Sequence, residues 1–279
     1  MYKRQITSYV DIVPTLLSYT EVKKPARVKF DGVNIRPLIE DKAKSWDDRI
    51  LVTDSQRVKD PIKWKTSAVM TEQWRLINGK DLFDINKDPG QKANIAKQNP
   101  KVVKRLRDFY DAWWAELEPT FSQTTEIYLG HPAENPARLT SHDWITTRLS
   151  PWNQAHIRNM ENREGYYGFW AVKVVESGDY EVEIRRWPKE ANKPISGSLP
   201  PGDDVPGEKA FRVAAGKSFP AVKAVVTFDG KEYAKPVKGN AESVTFDIPL
   251  KKGSDKFYAR FEDSEGNQLG AYYAYVKKK

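Results

Sequence analysis

Apolar positions change rhythm along this chain, and each rhythm predicts a different element. Between 102 and 117 they fall at Val102, Val103, Leu106, Phe109, Tyr110, Trp113, Trp114 and Leu117, a spacing that closes into one face of a helix about four turns long. Asn99 precedes it as an N-cap, Pro100 takes the first helical position, and Pro119 ends it. Such a face covers one side of a small antiparallel sheet, whose strands are predicted at 49–53, 67–71, 74–77 and 82–84. Glu72-Gln73 leave two residues for a tight hairpin, although neither is a favoured turn former. Asn78-Gly79 and Asp88-Pro89-Gly90 mark further turns. Upstream, 6–10 reads as a short strand and Asp11 as the N-cap of a helix running to about Tyr19, with Pro14 in its first turn. The stretch 31–39 has turn chemistry followed by an apolar cluster, which predicts a surface connection packed on a core.

From 121 to 136 the pattern loosens around Gly130, Pro132 and Pro136, and reads as a linker. Beyond it the rhythm has period two. Tyr180, Val182 and Ile184 point one way while Glu181, Glu183 and Arg185 point the other. Strands are predicted at 139–146, 169–175, 180–186, 209–213, 222–228, 244–248, 257–262 and 271–276, with Lys277 to Lys279 as a solvated tail. Short strands separated by Gly, Asp and Pro argue a β-sandwich. The expected organisation is therefore α+β: a unit over 6–120 with a small antiparallel sheet and one long amphipathic helix, a linker over 121–136, and an all-β sandwich over 137–279.

At 279 residues with 39% hydrophobic content, the chain fills a real core. Its 46 Lys+Arg against 38 Asp+Glu leave +8, a surplus spread along both halves that favours anionic partners. The basic residues are neither clustered nor interleaved with aromatics in a stripe, so nucleic acid is not an expected partner. No apolar run approaches the length of a membrane span. Met1 to Gln5 break off abruptly into an apolar stretch that looks like the middle of a domain; they read as a scar of a sequencing adaptor at a contig end, to be set aside in fold reasoning. With 9 Trp, 13 Tyr and 11 Phe the chain is rich in aromatics, and Trp144, Trp152, Trp170 and Trp187 are expected in the sandwich core.

Catalytic chemistry has little to stand on. Zero cysteine removes disulfides, thiol nucleophiles and thiolate metal sites. His131, His142 and His156 are too dispersed for a zinc cluster. There is no G-x-S-x-G, P-loop or G-x-G-x-x-G. Ser141-His142-Asp143 sets triad residue types side by side on an expected strand, where neighbours face opposite ways. Asp47-Asp48 and Asp203-Asp204 read as solvated turn residues rather than a metal cage.

Three stretches, in order, resemble the C-terminal part of the sulfatase family, the sulfuric ester hydrolases of the alkaline-phosphatase-like superfamily. They are Tyr9-Val-Asp-Ile-Val-Pro-Thr-Leu-Leu17, Asp31-Gly-Val-Asn-Ile-Arg-Pro-Leu38, and Leu82-Phe-Asp-Ile-Asn-Lys-Asp-Pro-Gly-Gln91 with Asn94-Ile-Ala96 and the Trp113-Trp114 helix. Ala68-Val-Met-Thr-Glu-Gln-Trp-Arg-Leu-Ile77 lies between them. The resemblance implies that 6–120 is the end of the family's large domain plus its small C-terminal subdomain. The remainder is similar to an accessory β-domain of some bacterial sulfatases, on Leu139-Thr-Ser-His-Asp-Trp144, Gly168-Phe-Trp170, Gly178-Asp-Tyr180 and Gly270-Ala-Tyr-Tyr-Ala-Tyr275 among others.

Family chemistry uses a formylglycine made from the Cys or Ser of C/S-x-P-x-R and a calcium ion. The nearest serine version here, Ser218-Phe-Pro-Ala-Val222, lacks the arginine, so no catalytic or metal-binding residue carries over. The resemblance thus implies a fragment of a sulfatase whose parent desulfates a sulfated carbohydrate and is exported to the periplasm or beyond, while this chain alone is inactive and holds no cofactor. In the loop 54–65, Arg57, Lys63 and Lys65 with Trp64 are candidates for touching the sugar: charge for sulfate, an apolar ring for the pyranose. The alternative is a non-catalytic carbohydrate-binding or scaffolding module.

Overall fold

The computed structural model describes residues 5–20, 22–56, 58–146, 150–151, 153–160, 167–210 and 212–279. The chain divides into two units, 1–56 with 61–121 and 57–60 with 122–279, and the architecture is mixed α+β.

In the first unit, helix α1 (Ile12–Thr20) and the short α2 (Arg36–Ile39) precede strands β1 (Leu51–Asp54), β2 (Ser67–Met70), β3 (Trp74–Ile77) and β4 (Asp81–Asp84), which form a four-stranded antiparallel sheet in that order. Helix α3 (Pro100–Leu117) covers it: Leu106, Tyr110 and Trp114, one turn apart, pack with Val69, Leu76 and Leu82. Burying a side chain such as Leu106 contributes roughly 1.5–3 kcal/mol. Phe109 was expected on this stripe, yet it sits at the stripe's edge and stays 40% exposed. The helix keeps the expected bounds, its 18 residues making five turns rather than four, and Pro119 falls within a following 3-10 turn, Glu118–Thr120. Asn99 caps through its backbone, its carbonyl accepting from the Val102 and Val103 N–H groups, while its side chain donates to the Ile95 carbonyl. The expected β2–β3 hairpin forms, with Thr71, Glu72 and Gln73 between the strands, and its turn chemistry comes from Thr71: its N–H donates to the Trp74 carbonyl at 3.0 Å, and its hydroxyl accepts from the Gln73 and Trp74 N–H groups at 3.3 and 3.1 Å.

The strand expected at 6–10 is absent; Tyr9–Asp11 is a 3-10 turn feeding α1. Asp11, expected as the N-cap, stands directly before α1 as the last residue of this turn and is fully buried. Its carboxylate accepts from the guanidinium of Arg49, from Val33 N–H at 2.9 Å and from Ser8 N–H at 2.8 Å. Thr15 accepts from Ile35 N–H, and Arg36 donates to the Ser18 carbonyl. A Cβ on Gly32 would fall 2.0 Å from the Val10 carbonyl oxygen, so only glycine lets the 31–35 segment lie this close. Two of the three motif stretches are thereby one interlocked structure.

The second unit contains β5 (Ile127–Leu129), β6 (Ala137–Thr140), helix α4 (Gln154–Asn159), β7 (Trp170–Val174), β8 (Gly178–Arg185), β9 (Lys223–Phe228), β10 (Lys231–Pro236), β11 (Val244–Leu250), β12 (Gly253–Glu262), β13 (Gln268–Gly270) and β14 (Tyr273–Lys278). One sheet runs β10-β9-β12-β7-β5 with β13 added on β12; the other runs β11-β8-β14-β6. They share a core in which Val172, Phe257 and Phe261 of the first meet Tyr180, Val182 and Val276 of the second. Trp144, Trp170 and Trp187 are buried, while Trp152 lies outside the described residues.

Four sequence expectations change here. The strand at 139–146 stops at Thr140 and continues as a 3-10 turn, Ser141–Asp143. No strand forms at 209–213 among the described residues; that stretch belongs to a long connection held by Arg186. Fully buried, Arg186 donates to the carbonyls of Gly197 at 2.9 Å and Lys217 at 2.6 Å, and burial pulls its pKa down to about 10. The expected tail at 277–279 is tied into the sheet, with Lys279 paired to Asp247 at 2.5 Å. Finally, β5 falls inside the stretch 121–136 and pairs in parallel with β7.

Candidate functional site

The loop from Asp54 to Lys65 carries the residues expected to meet a sugar. Arg57 lies outside the described residues. The rest of the loop is closed by Gln56, whose side-chain oxygen accepts from Ile62 N–H at 2.9 Å while its amide donates to the Ile62 carbonyl and to Asp54. Lys63 is exposed but pairs with Asp111 on α3 at 2.7 Å. Lys65 is exposed, its N–H returned to the Ile62 carbonyl.

Trp64 is differently placed. Its ring stacks on Tyr110 with centroids 3.8 Å apart and planes at 22°, and Gly79 runs beside it so closely that a Cβ there would sit 2.8 Å from the indole. Backbone φ of +66° at Trp64 turns the ring inward. Tyr110 completes the cluster: its hydroxyl donates to Asp54 at 2.8 Å and accepts from Trp64 N–H at 3.2 Å. Burial, with the Asp54 carboxylate beside it, pushes the phenol up to about 12. The structure therefore brings Trp64 and Lys63 to α3, and leaves Lys65 facing solvent.

The other constellations separate in the same way. Ser141 is buried and His142 exposed, while Asp143 accepts from the Thr140 hydroxyl at 2.9 Å. Asp48 accepts from Glu72 N–H, and Asp204 from Lys209 and Ala210 N–H. Among the described residues no three His, Asp or Glu side chains converge on a point where a metal ion would sit, and no helix is long and apolar enough to cross a membrane.

Sequence reasoning missed Asp11, where the site-like electrostatics of this unit concentrate. Burial alone would raise its pKa, but the Arg49 guanidinium and the N–H groups of Val33 and Ser8 outweigh burial and hold the carboxyl below its ordinary value. The residue types gave a hint, an aspartate ahead of an apolar helix; its arginine partner lies 38 residues away and gave none.

No protein-family profile matches the chain. Among curated proteins it is similar to "Arylsulfatase K" of Gallus gallus, 24% identical over 193 residues, which is 65% of this chain and 32% of that protein. The chain thus spans about a third of the length of this relative, and the similarity indicates a sulfatase-related relationship. Among solved structures it is similar to a ruminal GH26 endo-beta-1,4-mannanase, at a TM-score of 0.27 and 15% identity over 52% of this chain and 26% of that one. A second, protein YXIM of Bacillus subtilis, gives 0.23 and 17% over 40% and 22%. At TM-scores this low neither likeness defines the fold.

Proposed function

We propose that residues 6–121 are the C-terminal subdomain of a sulfatase-like hydrolase, and that the full protein to which they belong cleaves sulfate esters on a sulfated carbohydrate outside the cytoplasm. In that protein a formylglycine and a calcium ion would supply the chemistry, held by residues outside this chain. The observation that carries the reading is the coincidence of motif and structure: the stretches resembling sulfatases are those that interlock around Asp11 and build the sheet and helix α3, in a chain 24% identical to an arylsulfatase over 193 residues.

The chain's own part is to bind and orient. Lys65, Lys63 on release from Asp111, and Arg57 supply positive charge for a sulfated sugar, with Trp64 fixing the loop that carries them. With no cysteine and no complete C/S-x-P-x-R sequence, the chain has no nucleophile of the family's kind. The purified polypeptide is accordingly expected to release no measurable product from an aryl sulfate with calcium present; robust turnover overturns the reading.

A further inference from the structure

The outward face of a water-facing sheet ordinarily carries polar side chains. On the β10-β9-β12-β7-β5 sheet that pattern is broken by aromatic rings. Tyr128 on β5 is 52% exposed. Phe169, at the head of β7, and Tyr258 on β12 are half-buried on the same face, their centroids 5.4 Å apart and their planes at 47°. Because Tyr128 lies opposite Lys173 in the β5–β7 ladder, it stands four residues from Phe169 along the sheet, roughly 13 Å at about 3.3 Å per residue.

Two ammonium groups accompany the rings. Lys173 lies 5.8 Å from the Tyr128 centroid and Lys256 5.2 Å from that of Phe169. Neither makes an ion pair with a carboxylate among the described residues. Phe169, Ala171, Thr227, Lys256 and Tyr258 line a groove of about 620 Å³, to which Glu126 and Asp255 also contribute, while Tyr128 and Lys173 stand outside it on the same face.

We infer that this face binds an acidic oligosaccharide, a chain of sugar rings bearing carboxylate or sulfate groups. A pyranose presents an apolar C–H face and a hydroxyl rim. The C–H face lies on an aromatic plane, the rim hydrogen-bonds to groups such as the Thr227 hydroxyl, and an acid group takes the ammonium already poised above the ring. Aromatic positions about 13 Å apart along the strand suit an extended chain rather than one sugar. This binding does not depend on the sulfatase reading, and its test involves no turnover.

The test titrates the full chain with a chondroitin sulfate hexasaccharide and with neutral maltohexaose, following heat and amide chemical shifts. The acidic sugar is expected to bind in the millimolar range or tighter, about tenfold better than the neutral one, with shifts on β5, β7 and β12. Tyr128→Ala and Lys256→Gln, both surface changes, are each expected to weaken it about fivefold without altering thermal unfolding. Absence of binding, equal binding of the neutral sugar, shifts confined to other surfaces, or undiminished binding by both variants would each overturn the inference.

Discussion

At the scale of single residues, the first unit depends on one buried carboxylate. Asp11 and Arg49 are largely out of water, so removing one partner leaves the other charge uncompensated; Asp11→Asn is expected to cost about 3 kcal/mol in chemical denaturation. Because the folded pKa of Asp11 lies below its unfolded value, the clamp contributes full stability above the unfolded pKa of about 3.9 and loses it as pH falls through the lowered value. Acid titration of unfolding is therefore expected to be steeper for the wild type than for Asp11→Asn below about pH 4; identical slopes refute the assignment. Gly79→Ala places a methyl 2.8 Å from the Trp64 indole at a φ of +65°, and is expected to lower stability by about 1–3 kcal/mol. Residue types announced the turn at Asn78-Gly79, but not the indole packed over it, since that approach is set by helix α3.

Elements were legible where local pattern and tertiary environment agree. The α3 stripe and the β2–β3 hairpin are readable because each is fixed by near neighbours. Strand β10 is not: it is an exposed edge strand whose side chains follow no burial period, so nothing in 231–236 marks it. The reverse holds at 209–213, where the sequence predicts a strand but none forms among the described residues, and the connection is held instead by Arg186. Replacing that arginine by methionine removes the donors to the Gly197 and Lys217 carbonyls. Limited proteolysis between 195 and 217 is then expected to speed up with the sheets intact by circular dichroism, and unchanged cleavage contradicts the staple. For the candidate loop, Arg57, Lys63 and Lys65 were readable as charge, while the inward turn of Trp64 depends on a positive φ and on Tyr110, neither visible in the loop's own sequence.

Over the whole molecule, the surplus positive charge and the lysine-and-ring face on the β-rich unit suit the acidic oligosaccharide proposed above, and the sequence carries no cysteine and no complete C/S-x-P-x-R. One exposed surface also belongs to this scale. Tyr9, Ile12, Val13 and Leu16 stand 81%, 55%, 51% and 56% exposed along one stretch, an apolar patch of the kind that drives association. Sedimentation velocity is expected to show concentration-dependent self-association that Ile12→Glu with Leu16→Glu relieves. The central claim, a subdomain taken from a sulfatase-like hydrolase, is tested most directly by reading the gene through the codons before Ile6. An in-frame catalytic region with C/S-x-P-x-R is the predicted result; an in-frame stop codon directly before Met1 would contradict it.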